Sequence, residues 1–245
     1  MSLRKFLFAF FLVTSAVANA QQTTKHYNIL WVAYNSTFHL NNKWLLVGDA
    51  EVRTVDWADK WLLCAVRTGV GYSVAPNLSL AAGGALFRTA QYNKNNYFFK
   101  NEWRLWQEAA YTLKFKNRTN LFQRLRTEQR FLQQTVNNKK VNKYQYIFRL
   151  RYRFEWTFPL VEDKIRLLAG DEIFVNPGHI NSQLFFDQNR TFGGLNFKIS
   201  NATILQTQYI KIFQWRNPTS VLEDQNVIRI NFVQQFSNKI KKSNS

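Results

Sequence analysis

The chain has 245 residues, of which 16% are aromatic, with only 9 Gly and 4 Pro and a formal charge of +18. That length fits one all-β unit, and no Pro-, Gly- or Ser-rich linker divides it; a lone cysteine, Cys64, excludes a disulfide framework and a thiolate metal site and is left a packing role. So large a positive excess usually marks a binder of nucleic acid or anionic surfaces. Here the arginines alternate with apolar residues inside strand-like stretches, and the aromatics that would stack on bases share the opposite face, so no nucleic-acid partner is expected.

Residues 1–20 read as a secretory signal peptide. Arg4 and Lys5 give its positive region, Phe6 to Val13 an apolar run too short to cross a bilayer, and Ala18-Asn19-Ala20 a small-x-small cleavage site ending at Ala20. No later segment approaches the roughly 20 apolar residues of a transmembrane helix, so residence in a membrane requires a barrel. Residues 21–236 are read as that barrel and 237–245 as a basic polar tail.

The first candidate strand runs from Tyr27 to Leu40 and turns at Asn41-Asn42-Lys43. In the second, Trp44, Leu46, Gly48, Ala50 and Val52 share one face, and Asp49, Glu51 and Arg53 the other. The third, Trp61 to Val74, sets Leu62, Cys64, Val66, Val70 and Tyr72 against Arg67, Gly69 and Gly71, and turns at Ala75-Pro76-Asn77. The fourth, Leu78 to Phe87, is small and apolar on both faces and leaves its orientation open. After a polar loop from Arg88 to Asn96, the fifth sets Trp103, Leu105, Ala109, Tyr111, Leu113 and Phe115 against Glu102, Arg104 and Glu108. A turn at Lys116 to Asn120 leads to the sixth, which alternates Leu121, Leu125 and Phe131 with Arg124, Arg126, Glu128 and Arg130.

A second polar loop, Gln133 to Lys143, precedes the clearest strand in the chain, Tyr144 to Phe158. Its even positions are aromatic or leucine, and its odd positions include Arg149, Arg151, Arg153 and Glu155. A turn from Pro159 to Lys164 leads to Ile165 to Asn176, whose register is open because Asp171 and Glu172 are adjacent. Beyond a loop from Pro177 to Leu184, Leu195, Phe197 and Ile199 oppose Arg190, Gly194 and Asn196. Thr203 to Trp215 follows a turn at Ser200 to Ala202, and after a loop from Arg216 to Gln225, Ile228, Ile230, Phe232 and Phe236 oppose Arg229 and Asn231.

Alternation alone does not say which face is inside. A soluble barrel keeps its apolar face inward, and a membrane barrel reverses the two. The candidate strands are about 11 to 15 residues, enough for the roughly 9 to 11 that a tilted transmembrane strand needs. Short turns alternate with longer polar loops. Trp44, Tyr72, Tyr111, Phe115, Trp156, Phe158 and Phe236 fall on the apolar face, where the strands meet the short turns or, for Phe236, at the end of the last strand, as in an interfacial girdle. The strand charges are arginine and glutamate, which form planar bidentate pairs in confined spaces, while lysine falls mainly in turns, loops and tail. The expectation is an all-β, antiparallel transmembrane barrel of about 10 to 12 strands. Eleven stretches can be counted where bacterial barrels have even numbers, so Tyr27 to Leu40 is expected either to be an extra strand that pairs unusually beside the other ten or to need a further partner strand that makes twelve.

On this reading Glu51, Arg53, Arg67, Glu102, Arg104, Glu108, Arg124, Arg126, Glu128, Arg130, Arg149, Arg151, Arg153, Glu155, Glu172, Arg190 and Arg229 form a lumenal charge network. The Asn101-Glu102-Trp103-Arg104 element, the Arg124-x-Arg126-x-Glu128-x-Arg130 and Arg149-x-Arg151-x-Arg153 ladders, the run from Asp171 to Asn176, and Phe186 to Arg190 before Gly193-Gly194 also resemble the domain-of-unknown-function 2490 family, over most of the mature chain. The resemblance implies an outer-membrane β-barrel of a Gram-negative bacterium and implies no activity.

The expected partners are therefore outer-membrane lipid and the outer-membrane assembly machinery, with a small-molecule or anion ligand unspecified. The expected role is non-catalytic: envelope structure, binding, or narrow anion-preferring transport. His26, His39 and His179 are far apart in the chain, so no metal or cofactor is expected. Two alternatives carry other functions. One is a soluble periplasmic or secreted lipocalin-like barrel that binds an apolar ligand, and the other is a barrel lipid-modifying enzyme, for which Ser36 and His39 are the nearest pair.

Overall fold

The computed structural model describes residues 23–93, 96–137, 139–161, 164–179, 185–216 and 221–237. The signal segment, its cleavage point at Ala20, and the tail from residue 238 lie outside the described residues. Eleven strands form one closed barrel: β1 (Thr23–His39), β2 (Trp44–Val55), β3 (Lys60–Ala75), β4 (Leu78–Asn93), β5 (Asn96–Lys114), β6 (Asn120–Val136), β7 (Lys139–Val161), β8 (Ile165–Val175), β9 (Phe186–Lys198), β10 (Thr203–Arg216) and β11 (Val221–Ser237). Consecutive strands pair antiparallel. β1 and β11 close the ring in parallel, from Thr23 beside Val221 to His39 beside Ser237.

Parallel closure is what an odd count demands, because strands that alternate direction leave the first and the last of an odd set running the same way. Of the two expectations for the first strand, unusual pairing is the one observed, and no twelfth strand is needed to partner it. β1 is a full member, and the barrel is mixed rather than wholly antiparallel.

The turns at one end are built by side chains that replace backbone partners. Asn41 Oδ1 accepts from the N–H groups of Lys43 (2.9 Å) and Trp44 (2.8 Å), Asn117 Oδ1 from Thr119 (3.1 Å), and Ser200 Oγ from Ala202 (3.1 Å). This is called the turn end below, and the opposite one the loop end.

At the loop end the strands run further than their polarity indicates. Most of the expected loops Arg88 to Asn96 and Gln133 to Lys143 are strand, paired up to Asn93 with Asn96 and Val136 with Lys139. Val221 to Gln225 belong to β11. At the turn end, β7 likewise continues through Pro159 to Val161, with a shift of register there. A strand bonded on both sides satisfies its backbone whatever its side chains, so polarity alone does not end it.

Side-chain alternation sets the faces, and burial is inverted relative to a soluble barrel. Glu128 and Glu172 are 1% exposed on the inside, while Val66 is 61% and Leu105 55% exposed on the outside. Two local questions are settled by pairing. β4 turns Leu80 and Leu86 outward and Ala85 and Phe87 inward. Glu172 faces in and Asp171 out, where Asn189 Nδ2 and Thr191 Oγ1 each donate to it at 2.8 Å.

Leu62 does not share the outward face with Cys64. The register slips between Arg53–Leu63 and Thr54–Trp61, which makes Leu62 the extra residue of a bulge and turns it against the interior cluster of Ile29, Trp31 and Val227.

Outward aromatic rings gather at both ends. At the turn end Trp44 meets Tyr72 at 4.9 Å between centroids, and Trp156 lies between Phe115 (5.6 Å) and Phe158 (6.1 Å). At the loop end Tyr97 lies between Tyr92 (5.8 Å) and Phe99 (5.9 Å), and Phe131 meets Tyr146 at 5.5 Å. This second belt was hidden in the sequence because Tyr92 lies inside an expected polar loop and Tyr97 directly after it.

Candidate functional site

The interior of the barrel is the candidate site. Arginines on neighbouring strands fall opposite one another or opposite acids, since strand pairing fixes which side chains meet. Arg124 pairs with Arg153, Arg126 with Arg151 and with Glu108, Glu128 with Arg149, and Glu172 with Arg153 and Arg190. Two carboxylates organise the centre. Glu128 accepts from Arg151 Nη1 at 2.6 Å and from Arg149 Nε at 2.9 Å, with Arg149 Nη2 on the same oxygen and Arg104 Nη1 at 3.6 Å. Glu172 Oε1 accepts from Arg124 Nη2 and Arg151 Nη2, both at 2.7 Å, and from Arg151 Nε at 3.1 Å.

Around this pair the remaining charges are matched locally. Glu102 holds Arg104 (2.6 Å) and Arg130 (2.5 Å), Glu108 holds Arg126 (2.5 Å), Glu155 holds Arg153 (2.5 Å), and Glu51 holds Arg53 (2.7 Å). A buried charge without a partner is costly and a paired, hydrogen-bonded one is tolerated, so the matching is what lets these groups leave water.

Two acids of this set were missed as network members, Asp49 on Arg67 at 2.5 Å and Asp187 on Arg149 at 2.9 Å. Asp49 shares the parity of Glu51 and Arg53, which was signal enough. Asp187 was not legible, because the register slip between Phe174 and Val175 is what turns it inward.

The aromatic floor under the guanidinium groups was missed too. Arg104 lies 3.5 Å over Phe87, Arg151 4.4 Å and Arg190 4.5 Å over Phe174, Arg153 4.2 Å over Phe192, and Arg53 3.7 Å over Trp31. These rings lend the cations a polarisable face. Trp106 lies across β3 and β4, where only glycine fits: a Cβ at Gly69 would stand 2.5 Å, and at Gly83 2.8 Å, from the indole ring. Trp106, Phe174 and Phe192 follow the parity of the charges on their own strands, so alternation pointed to them, whereas β1 and β4 carry no lumenal charge that would have marked the face of Trp31 or Phe87.

Two expected members of the network are not ion-paired among the described residues. Arg190 donates to Gln188 Oε1 at 3.0 Å, and Arg229 to Gln208 Oε1 at 3.1 Å. A cavity of about 410 Å³ lies among these groups and reaches both. Of the residues weighed for other chemistry, Ser36 Oγ donates to the Gly48 carbonyl at 3.2 Å, and His26 lies 3.3 Å from Asp224 on the outward face.

Fold and site together define a class: an eleven-stranded β-barrel that carries its apolar residues outside and a buried arginine–glutamate network within. The chain belongs to the family described as protein of unknown function (DUF2490), which matches residues 28–223. No curated protein and no solved structure matches the chain.

Proposed function

We propose that this protein is an outer-membrane β-barrel of a Gram-negative cell, exported by a leader cleaved after Ala20, non-catalytic, with a nearly closed interior that prefers anions. The single observation that carries the reading is the inversion of burial, with Glu128 and Glu172 at 1% exposure inside and Trp103 at 51% and Leu105 at 55% outside. An apolar band edged by aromatic rings at both ends supports lipid as its surroundings. Lipid and the assembly machinery of that membrane are then its partners.

A barrel of eight strands is just filled by its own side chains, and channels open at about sixteen. Eleven strands crossed by long paired arginines leave a narrow passage, and the arginine excess makes it positive. The lipocalin-like alternative needs apolar walls around its ligand, whereas this cavity is lined chiefly by arginine, glutamate and amide groups.

The test has two arms. Mature protein beginning at Gln21 should partition with outer membranes, and its recovery in the aqueous periplasmic fraction without detergent would sink the membrane reading. In planar bilayers with a salt gradient it should give small anion-selective events; large, stable, cation-selective openings would refute the closed, positive interior.

A further inference from the structure

The arc where the barrel closes holds positive charge that the protein itself does not neutralise. Parallel pairing of β1 with β11 sets Trp31 beside Arg229, and antiparallel pairing of β1 with β2 sets it beside Arg53. The guanidinium carbons of Arg53, Arg229 and Arg190 lie 3.7, 4.4 and 5.5 Å from the Trp31 ring centre. Glu51 answers Arg53 at 2.7 Å, while Arg190 and Arg229 reach only amide oxygens among the described residues. Glu172, which stands opposite Arg190 in register, already holds Arg124 and Arg151.

A second observation is independent of charge. Trp31 is 5% and Gln208 3% exposed, yet Trp31 Nε1 and Gln208 Nε2 have no hydrogen-bond partner, and neither do the Nε–H groups of Arg53, Arg190 and Arg229. All of these are donors, and a buried donor left without an acceptor is costly in a folded protein. Trp31 and the three arginines line the interior cavity. The unmet nitrogens of Arg53, Arg124 and Arg126 belong to guanidinium groups whose other nitrogens hold a carboxylate, whereas those of Arg190 and Arg229 belong to groups that hold only amide oxygens among the described residues.

From this we infer that the closure arc is a binding site for a small dianionic oxyanion of the sulfate or phosphate class. Three guanidinium groups against one carboxylate leave an excess that a dianion neutralises and a halide does not. Forked N–H pairs match the oxygens of such an anion, and the indole N–H adds a donor that only an acceptor satisfies. The site deepens the anion preference proposed above and rests on it only for its role. Its geometry belongs to the barrel interior, in whatever compartment the barrel resides.

The test is calorimetric titration of the full mature barrel, refolded in detergent, with sodium sulfate and then inorganic phosphate at constant ionic strength set by chloride. Saturable binding of one anion per barrel is expected, weakened at least tenfold in Arg190→Gln and in Arg229→Gln. It should be unchanged in Lys43→Gln, which removes the same charge from an exposed turn. Heat-modifiable mobility on gels establishes that each variant is folded, and Trp31→Phe, which keeps the ring and removes the N–H, should weaken binding on its own.

No saturable binding by the folded wild type, or equal loss in Lys43→Gln, overturns the site. Sulfate binding by a barrel that fractionates as a soluble protein would sink the membrane reading and leave the site standing. A membrane-bound, anion-selective barrel that ignores both anions would do the reverse.

Discussion

Two arcs of one interior handle the same residue in opposite ways. Along β5 to β8, each of Arg104, Arg124, Arg126, Arg130, Arg149, Arg151 and Arg153 meets a carboxylate. In the arc where β9, β10 and β11 return to β1, Arg190 and Arg229 meet Gln188 and Gln208, and Trp31 keeps a free indole N–H. Arginine content therefore says little about what an arginine does inside a barrel. Where acids accompany it, the guanidinium is a strut that ties strands across the lumen. Where amides accompany it, its charge remains available to something else.

The largest effect should come from the centre of the paired arc. Glu128→Gln leaves Arg149, Arg151 and, more loosely, Arg104 around an uncharged amide. Breaking a buried pair from one side costs about 3 to 5 kcal/mol, to be read as a lowered urea midpoint in detergent micelles. A loss below about 1 kcal/mol would mean that solvent, and not the pairing, supports these charges.

Next in size is a test of the two faces within β7. Leu150→Arg places a charge on the outward surface, at about 2 to 4 kcal/mol if that surface meets lipid near the midplane. Arg151→Leu should cost less, because Glu128 retains Arg149 and Glu172 retains Arg124. Heat-modifiable folding in detergent ranks the two, and the reverse order would exchange inside for outside.

The closure arc should answer differently. Arg190→Leu and Arg229→Leu strip no carboxylate of its partner among the described residues, so each should leave the urea midpoint within about 1 kcal/mol of wild type or raise it. A loss as large as that of Glu128→Gln would show that both arginines are struts after all and would erase the contrast between the arcs.

Much of this was legible in the chain, and the gaps have physical causes. Alternation from Tyr144 to Phe158 placed Arg149, Arg151 and Arg153 on one face, and that face is the interior. Alternation does not count residues across a bulge, so Leu62 and Asp187 were misplaced or missed. Nor does it report where pairing ends, so Arg88 to Asn93 read as loop although their backbone is bonded to β5. The contrast between the arcs was the least visible feature. It depends on which strand lies beside β1, and parallel closure by β11 is a property of the whole ring that no local stretch encodes.

The smallest expected effect compares two buried indoles, one for each way of treating a polar group. Trp106 is 2% exposed, donates its Nε1–H to the Gly84 carbonyl at 3.3 Å, and lies on Gly69 and Gly83. Trp106→Phe loses that hydrogen bond and opens space above two glycines, so it should cost at least the roughly 1 kcal/mol of a net hydrogen bond. Trp31→Phe removes a donor that has no partner, which relieves a desolvation cost, and keeps a ring beneath Arg53 and Arg229, which loses only part of about 0.5 to 2 kcal/mol of cation–π attraction. The two changes oppose each other, so the urea midpoint of Trp31→Phe measured without sulfate or phosphate should lie close to wild type and above that of Trp106→Phe. If Trp31→Phe is the more damaging of the two, its N–H is satisfied within the barrel and the closure arc is as fully paired as the rest.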